Sequence, residues 1–339
     1  AQARASLALR KLHADPERLG RARALLAARE ELDPVTARAL EVAELAFREQ
    51  QLAPADLERL SAAEAAIEEA FNTYRAEFEG MRRSDNELLG VLAAENDGAR
   101  RKAAWEALKQ VGRAVGPRLV ELARMRNEAA KRLGAGSFWE LKVRLQEHDP
   151  GKLLALFEEL ERLTDEPYRR MKASLDAELA ARFGIAAEEL RPWHYDNPFF
   201  QAAPPSGIDL DLFFREKPRE EIAAIAARFF AAIGLPVESI LARSDLYERA
   251  GKSQHAFCED IDRKGDIRIV CNLRPTAEWM DTMLHELGHA VYDAGIDPGL
   301  PFNLRQAAHS LTTEAVAMLL GALAKQPAWL ADWAGAQPE

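Results

Sequence analysis

Apolar residues recur every three or four positions along most of this chain, which is the pattern of amphipathic helices. Helix starts are marked by the Asp33-Pro34 pair, by Pro54, and by Ser-x-x-Glu segments that begin at Ser84 and Ser137. These signals predict a helical array that includes residues 34–51, 54–81, 98–112, 117–134, 150–184 and 218–233.

A strand-like alternation of apolar and polar residues is found near the middle of the second half of the chain. It runs through Ile267, Ile269 and Cys271, and turn-forming residues at 263–265 separate it from a candidate partner strand at residues 254–257. This pattern predicts a short antiparallel β-ribbon in a mainly α protein. The polar, proline-rich residues 191–209 form a long irregular stretch that could connect two lobes.

The segment His285-Glu286-Leu287-Gly288-His289 carries the clearest chemical signal, and it lies inside a helical pattern that continues on both sides. Two histidines four residues apart on a helix point the same way, so both imidazoles can reach one zinc ion. The carboxylate of Glu286 can then approach water at the same metal. Gly288 leaves room beside the histidines for a metal or another backbone. The alternative is an ordinary helix with two surface histidines and a solvated Glu286.

A third metal ligand is expected from a separate element. After His289, a stretch rich in glycine and proline ends the helix and turns the chain, and a second apolar helix follows at about residues 303–325. Glu314 is a carboxylate in an otherwise apolar part of that helix, and a buried carboxylate needs a partner. We therefore predict that Glu314 is the third ligand. The alternatives are an exposed Glu314 or a role for His309, which faces another side of the helix.

The HELGH segment, followed twenty-five residues later by a helical glutamate, resembles the gluzincin metallopeptidases of the angiotensin-converting enzyme and thimet oligopeptidase (oligoendopeptidase) group. Weaker similarity extends upstream. The segments that resemble the strand pair and helices of this group are residues 251–258, 265–271, 101–106, 126–134, 138–139 and 191–196.

The resemblance implies a two-lobed helical zincin-type fold with a deep central cleft and the β-ribbon beside the zinc helix. It implies a helical lid region at residues 1–95 and a catalytic region at residues 96–339. It also implies Zn²⁺ as cofactor, a short peptide as substrate, and His255 and Ala256 as residues that line the substrate cleft. For His255 the alternative is a purely local hydrogen bond.

The chain departs from this group in two ways. An aspartate that commonly follows the ligand glutamate by one turn is replaced by Met318, and Asp293 could substitute for it. The group also uses a histidine and tyrosines well downstream of the third ligand, whereas this chain ends twenty-five residues after Glu314. The resemblance therefore implies a fragment, a C-terminal segment or second chain that completes the cleft, or different catalytic machinery.

Composition limits the partners and the compartment. The net charge of −10 disfavours nucleic acid and anionic membranes, and no apolar stretch approaches the ~20 residues that span a bilayer. Cys258 and Cys271 are predicted to be free thiols, because Cys258 would lie nearer Ile269 than Cys271. Free thiols favour a cytoplasmic protein, and a secreted or periplasmic one stays open.

These observations lead to one main hypothesis for function. The chain is expected to hydrolyse peptide bonds in short peptides, as an oligopeptidase or as a peptidyl-dipeptidase or carboxypeptidase, with Glu286 as general base. The first alternative is a catalytically incomplete relative that retains zinc and serves as a peptide-binding or scaffold protein. The second is a metal-free structural protein whose motif is accidental.

Overall fold

The structure is a computed structural model that describes residues 2–200, 209–249, 252 and 255–335. It is mainly α, as predicted. The helices are α1 (Gln2–His13), α2 (Pro16–Leu26), α3 (Pro34–Glu49), α4 (Pro54–Asn72), α5 (Asp85–Ala94), α6 (Gly98–Lys109), α7 (Val111–Arg132), α8 (Phe138–Leu145), α9 (Pro150–Phe183), α10 (Arg219–Ala232), α11 (Glu238–Leu241), α12 (Ala277–Ala294), α13 (Ser310–Leu323) and α14 (Pro327–Trp329). The strands are β1 (Ala76–Phe78), β2 (Met81–Arg83), β3 (Phe257–Asp260) and β4 (Ile267–Val270).

The chain divides into two compact units. The first consists of residues 1–27 and 44–207, and the second of residues 28–43 and 208–339. The predicted division at residue 95, and the role of the first 95 residues as a lid, stay predictions.

The first unit is built from helix pairs with small apolar contact zones. Leu60 of α4 and Leu122 of α7 are buried in one of them. The Arg101 side chain of α6 is fully buried, donates hydrogen bonds to Trp193 O at 2.7 Å and Asp196 Oδ1 at 2.8 Å, and so links α6 to the irregular stretch after α9. A buried guanidinium with such partners stabilises the position of both segments.

The second unit contains the larger core, and α12 runs through it. The large, fully buried side chains of α12 are Met280, Met283, Leu284 and Leu287. They pack with α10 and with β4, whose Ile267 and Ile269 are also buried. The exposed fraction of these side chains is close to zero, so the face of α12 that carries them is fixed.

The ribbon formed by β3 and β4 confirms the predicted strand pair, but its first strand is Phe257–Asp260, so His255 and Ala256 precede it. The strands are antiparallel, and Cys258 lies opposite Ile269. Both cysteines are free, as predicted. Burial raises the pKa of the Cys271 thiol to about 12, which keeps this thiol protonated.

The local start signals were correct at several helices, but two predicted bounds were wrong. The helix expected to begin at residue 117 is α7, which begins at Val111 and contains Pro117. Ser84 and Glu87 form the predicted capping box of α5. The helix α4 ends at Asn72 instead of continuing to residue 81, because the β1–β2 hairpin intervenes. Its turn places Glu79 and Gly80 at φ values of 51° and 73°, a conformation incompatible with helix.

In the part of the chain that the structure describes, no helix is both long enough and apolar enough to cross a bilayer.

Candidate metal centre

The helix α12 presents the HELGH segment from a firmly anchored position. Its N-cap residue Thr276 accepts a hydrogen bond from Trp279 N, and its apolar face is buried in the second unit. The rings of His285 and His289 point to the other side and remain partly exposed, at 28% and 17% of their side-chain surface. The 3.6-residue period therefore separates the anchoring face from the ligand face.

The helix α13 crosses α12 at close range, and two glycines make this possible. A Cβ atom at Gly288 would lie 2.7 Å from the Ala317 Cα. A Cβ atom at Gly321 would lie 2.5 Å from Asp281 Oδ1 and 3.3 Å from the His285 Cβ. Each helix thus contributes a residue without a side chain where the other helix approaches. The expectation that Gly288 admits another backbone is confirmed.

The crossing brings His285, His289 and Glu314 together. The two Nε2 atoms are 3.2 Å apart, and the Glu314 oxygens lie 3.6 Å from His285 Nε2 and 3.7 Å from His289 Nε2. Two ligand atoms held ~2.1 Å from one zinc ion at a tetrahedral angle are about 3.4 Å apart. The three observed separations are close to that value. Two imidazoles and a carboxylate are also a donor set found in catalytic zinc sites, so these residues fit a zinc ion.

Glu286 lies in a different environment from the other residues of the motif. Its side chain is buried, with 7% of the residue exposed. This burial, with a smaller contribution from the negative charge of Glu314, raises the pKa of Glu286 to about 7. A carboxylate with a pKa near neutrality can both accept and return a proton under physiological conditions.

The second histidine is held by a contact that the sequence did not reveal. The His289 Nδ1 lies 2.7 Å from the Thr313 Oγ1, on the ring side away from Glu314. Burial lowers the pKa of His289, although the charge of Glu314 acts in the opposite direction. The neutral ring that metal binding requires is therefore favoured.

The surroundings of Glu314 differ from those predicted. The reasoning from an apolar run required a buried carboxylate, but 49% of the Glu314 side chain is exposed. The neighbouring apolar residues Leu311, Met318 and Leu319 are also exposed, at 60%, 64% and 66%. The helix begins at Ser310 and not near residue 303, because Phe302–Leu304 forms a 3₁₀ turn. Glu314 reaches the histidines from a half-exposed position.

Asp293 does not substitute for the missing aspartate, contrary to the suggestion from the sequence. Thr313 contacts the His289 ring instead. Burial, followed by the charges of Asp260 and Glu259, raises the pKa of Asp293 to about 6. The side chain therefore belongs to an acidic environment at β3, away from the ring nitrogens.

The candidate substrate residues lie just before β3. His255 is exposed, and Ala256 is half-buried against the core of the second unit. Neither belongs to the candidate metal cluster of His285, His289 and Glu314. His309 is the N-cap residue of α13 and is half-buried. Gln254 lies outside the described residues.

A buried lysine anchors the chain between α11 and β3. Only 3% of the Lys252 side chain is exposed, and its Nζ donates to Asp245 Oδ1 at 2.9 Å, to Tyr247 O at 2.8 Å and to Cys271 O at 2.5 Å. These bonds link the segment around residue 245 to the end of β4. The ribbon beside α12 is therefore held to this segment at the end of β4.

Sequence reasoning missed Thr313 and Gly321 as parts of the site. A threonine beside a glutamate in a helix is common, and its role depends on which helix it faces. Gly321 lies seven residues after Glu314, two turns along the same face of a helix, and this spacing is a signal that could have indicated a close crossing.

Comparisons with known proteins agree with this geometry. A family model described as carboxypeptidase Taq (M32) metallopeptidase matches residues 172–316, a range that contains the three converging side chains and Glu286. Angiotensin-converting enzyme of Rattus norvegicus is 24% identical over 272 residues, which are 73% of this chain and 20% of that protein. The same enzyme of Mesocricetus auratus is 24% identical over 270 residues, 72% of this chain and 20% of that protein.

The chain thus spans about a fifth of the length of these curated relatives. The family match covers the ribbon, the motif and the first part of α13, up to residue 316. The predicted resemblance is therefore confirmed: the chain is similar to gluzincin metallopeptidases, through the carboxypeptidase Taq (M32) match over residues 172–316 and the similarity to angiotensin-converting enzyme.

Proposed function

We propose that this protein is a zinc-dependent peptidase that hydrolyses peptide bonds in short, extended peptides. The observation that carries the proposal is the convergence of the His285, His289 and Glu314 ligand atoms beside a buried Glu286. The family match to metallopeptidases and the similarity to angiotensin-converting enzyme support the same reaction class.

In this proposal His285, His289 and Glu314 hold the zinc ion. The ion, when bound, is a Lewis acid that acidifies water and polarises a carbonyl group. Glu286 accepts the proton of the attacking water and then delivers it to the leaving amine. Because Glu286 is buried, its carboxylate is poorly solvated and is a stronger base than an exposed glutamate.

The ribbon offers a place for the peptide backbone. One edge of β4 pairs with β3. On the other side, the backbone carbonyl oxygen of Asp245 accepts a hydrogen bond from Cys271 N at 2.9 Å. Among the described strands, none pairs with the outer edge of β3. An extended peptide could add to this edge through backbone hydrogen bonds, with His255 and Ala256 next to it. We propose these two residues as substrate contacts.

The test is hydrolysis by the purified, zinc-loaded chain. A mixture of short peptides is incubated with the wild type and with Glu286→Gln, and the fragments are identified by mass spectrometry. The wild type should cleave, and the variant should retain zinc while its rate falls by about 10²- to 10⁴-fold. Glu278→Gln, at an exposed position in the first turn of α12, is the matched control and should cleave like the wild type.

The fragments also decide between removal of carboxy-terminal residues and internal cleavage. A zinc-loaded wild type that cleaves no peptide would overturn the peptidase proposal for this chain. The remaining reading would then be a zinc-retaining relative that binds peptides without cleaving them.

A further inference from the structure

The ring of His289 is contacted on both nitrogens by neighbouring residues of α13. Thr313 Oγ1 is 2.7 Å from Nδ1, and Glu314 Oε1 is 3.7 Å from Nε2. The hydroxyl and the carboxylate thus lie on opposite edges of one imidazole. One turn of one helix accounts for both contacts.

Nε2 of His289 converges with His285 Nε2 and the Glu314 carboxylate, so a metal held by all three residues requires the lone pair on Nε2 and the proton on Nδ1. A neutral imidazole carries one proton, and a hydroxyl oxygen beside Nδ1 is a suitable acceptor for an N–H at that atom. The lone pair then resides on Nε2, which faces His285 Nε2 at 3.2 Å and the Glu314 carboxylate. The same hydrogen bond restricts rotation of the ring. Both effects prepare His289 for the metal before it arrives.

The two histidines are positioned by different means. The Cβ of His285 lies where Gly321 leaves space, 3.3 Å from the point that a Cβ of residue 321 would occupy. His289 is instead held by the Thr313 hydroxyl. Met318, one turn after Glu314, is 64% exposed and has no polar group that could orient a ring. Thr313 therefore supplies an orienting contact that neither Met318 nor Asp293 provides.

We infer that Thr313 is a positioning residue of this metal centre, whose hydroxyl accepts the Nδ1–H of His289 and holds Nε2 toward the ion. The inference rests on the proposed zinc site and adds a residue to it. Partners that orient a metal-binding histidine typically contribute about 10- to 100-fold to metal affinity. Thr313 does not contact the metal itself in this assignment.

The experiment measures Zn²⁺ affinity of the full chain by competition with a chromogenic chelator. Thr313→Val keeps the branched shape and removes the hydroxyl, so its zinc affinity should fall about 10- to 100-fold. Thr313→Ser retains the hydroxyl and should recover most of that loss. Thr312→Val is the matched control, because the Thr312 hydroxyl donates to His309 O at 2.8 Å and not to a histidine ring. Its zinc affinity should equal that of the wild type.

A second readout reports the tautomer of His289 directly. Long-range ¹H–¹⁵N spectra of the metal-free wild type at about pH 8, where an imidazole is neutral, report which nitrogen is protonated. We expect His289 to carry its proton on Nδ1, and Thr313→Val to show a mixture of tautomers. A wild-type His289 protonated on Nε2 would overturn the inference, and so would equal zinc affinity of Thr313→Val and the wild type.

The two levels of the proposal fail in different ways. If the wild type itself binds no zinc, the proposed function fails. If the wild type binds zinc and Thr313→Val binds it as tightly, only the role of Thr313 fails. Thermal melts of the metal-free variants show whether Thr313→Val is folded. Should it not fold, the tautomer of the wild type and the affinity of Thr313→Ser decide the matter.

Discussion

Gly288 of α12 lies directly against Ala317 of α13, so closely that a Cβ atom at residue 288 would be 2.7 Å from the Ala317 Cα. This contact sets the separation of the two helices that carry the candidate ligands. The distances between the histidine nitrogens and the Glu314 oxygens therefore depend on a residue that makes no contact with the metal.

Gly288→Ala should force the helices apart. The close neighbour is backbone and cannot rotate away, so we expect a loss of about 1–3 kcal/mol in the free energy of unfolding, together with weaker zinc binding. Gly20→Ala in α2 is the control, because this glycine is exposed and its Cβ would meet nothing within 4 Å. That variant should gain about 0.5–1 kcal/mol. Denaturant unfolding of the metal-free proteins checks both values, and a neutral Gly288→Ala would contradict the crossing.

Lys252→Met should destabilise the second unit. The substitution removes the donor for Asp245, Tyr247 O and Cys271 O while leaving those acceptors in place. Because Asp245 keeps partial access to water, we expect a cost of about 2–4 kcal/mol. Lys264→Met in the exposed ribbon turn should change stability by less than about 0.5 kcal/mol. Equal melting temperatures for the two variants would show that Lys252 does not anchor the ribbon.

Asp293→Asn should change how stability depends on pH. Because burial and the charges of Asp260 and Glu259 raise the Asp293 pKa from 3.8 to about 6, the native chain binds this proton more tightly than the unfolded chain. The contribution to stability is then complete below the unfolded pKa and is lost as pH rises through the folded pKa.

Asp293→Asn has no carboxyl group at this position, so its stability does not fall in this way as pH rises. Relative to the metal-free wild type, its free energy of unfolding should increase by up to about 3 kcal/mol between pH 4 and pH 7. Asp262→Asn should show a small change of the opposite sign, because hydrogen bonds from Asp266 N and Lys264 N lower the pKa of Asp262. A pH-independent difference between Asp293→Asn and the wild type would contradict the buried-acid assignment.

Features that depend on short stretches of sequence were predictable. The spacing of His285 and His289 places them on one face of a helix whatever lies elsewhere, and the capping residues Ser84 and Ser137 act within one turn. The alternation in β4 and the turn at residues 263–265 predicted the ribbon and its register, with Cys258 opposite Ile269. In each case the physical cause acts over a few residues.

Features that depend on how two helices meet were not predictable in the same way. The partial exposure of Glu314 and the contact of Thr313 with His289 follow from the crossing of α12 and α13. The β1–β2 hairpin was missed because its turn at Glu79 and Gly80 overrides the helical tendency of the preceding residues. The exposure of Glu314 and the contact of Thr313 are thus set by tertiary packing, whereas the hairpin is set by its turn.

The zinc content of the purified chain tests the central claim most directly. After dialysis against trace zinc, elemental analysis of the wild type should give about one zinc ion per chain, as expected for one His₂Glu site. Glu314→Gln and the double variant His285→Ala/His289→Ala should retain far less, while Glu278→Gln should match the wild type. A wild type that retains no more zinc than the double histidine variant would contradict the proposed metal centre.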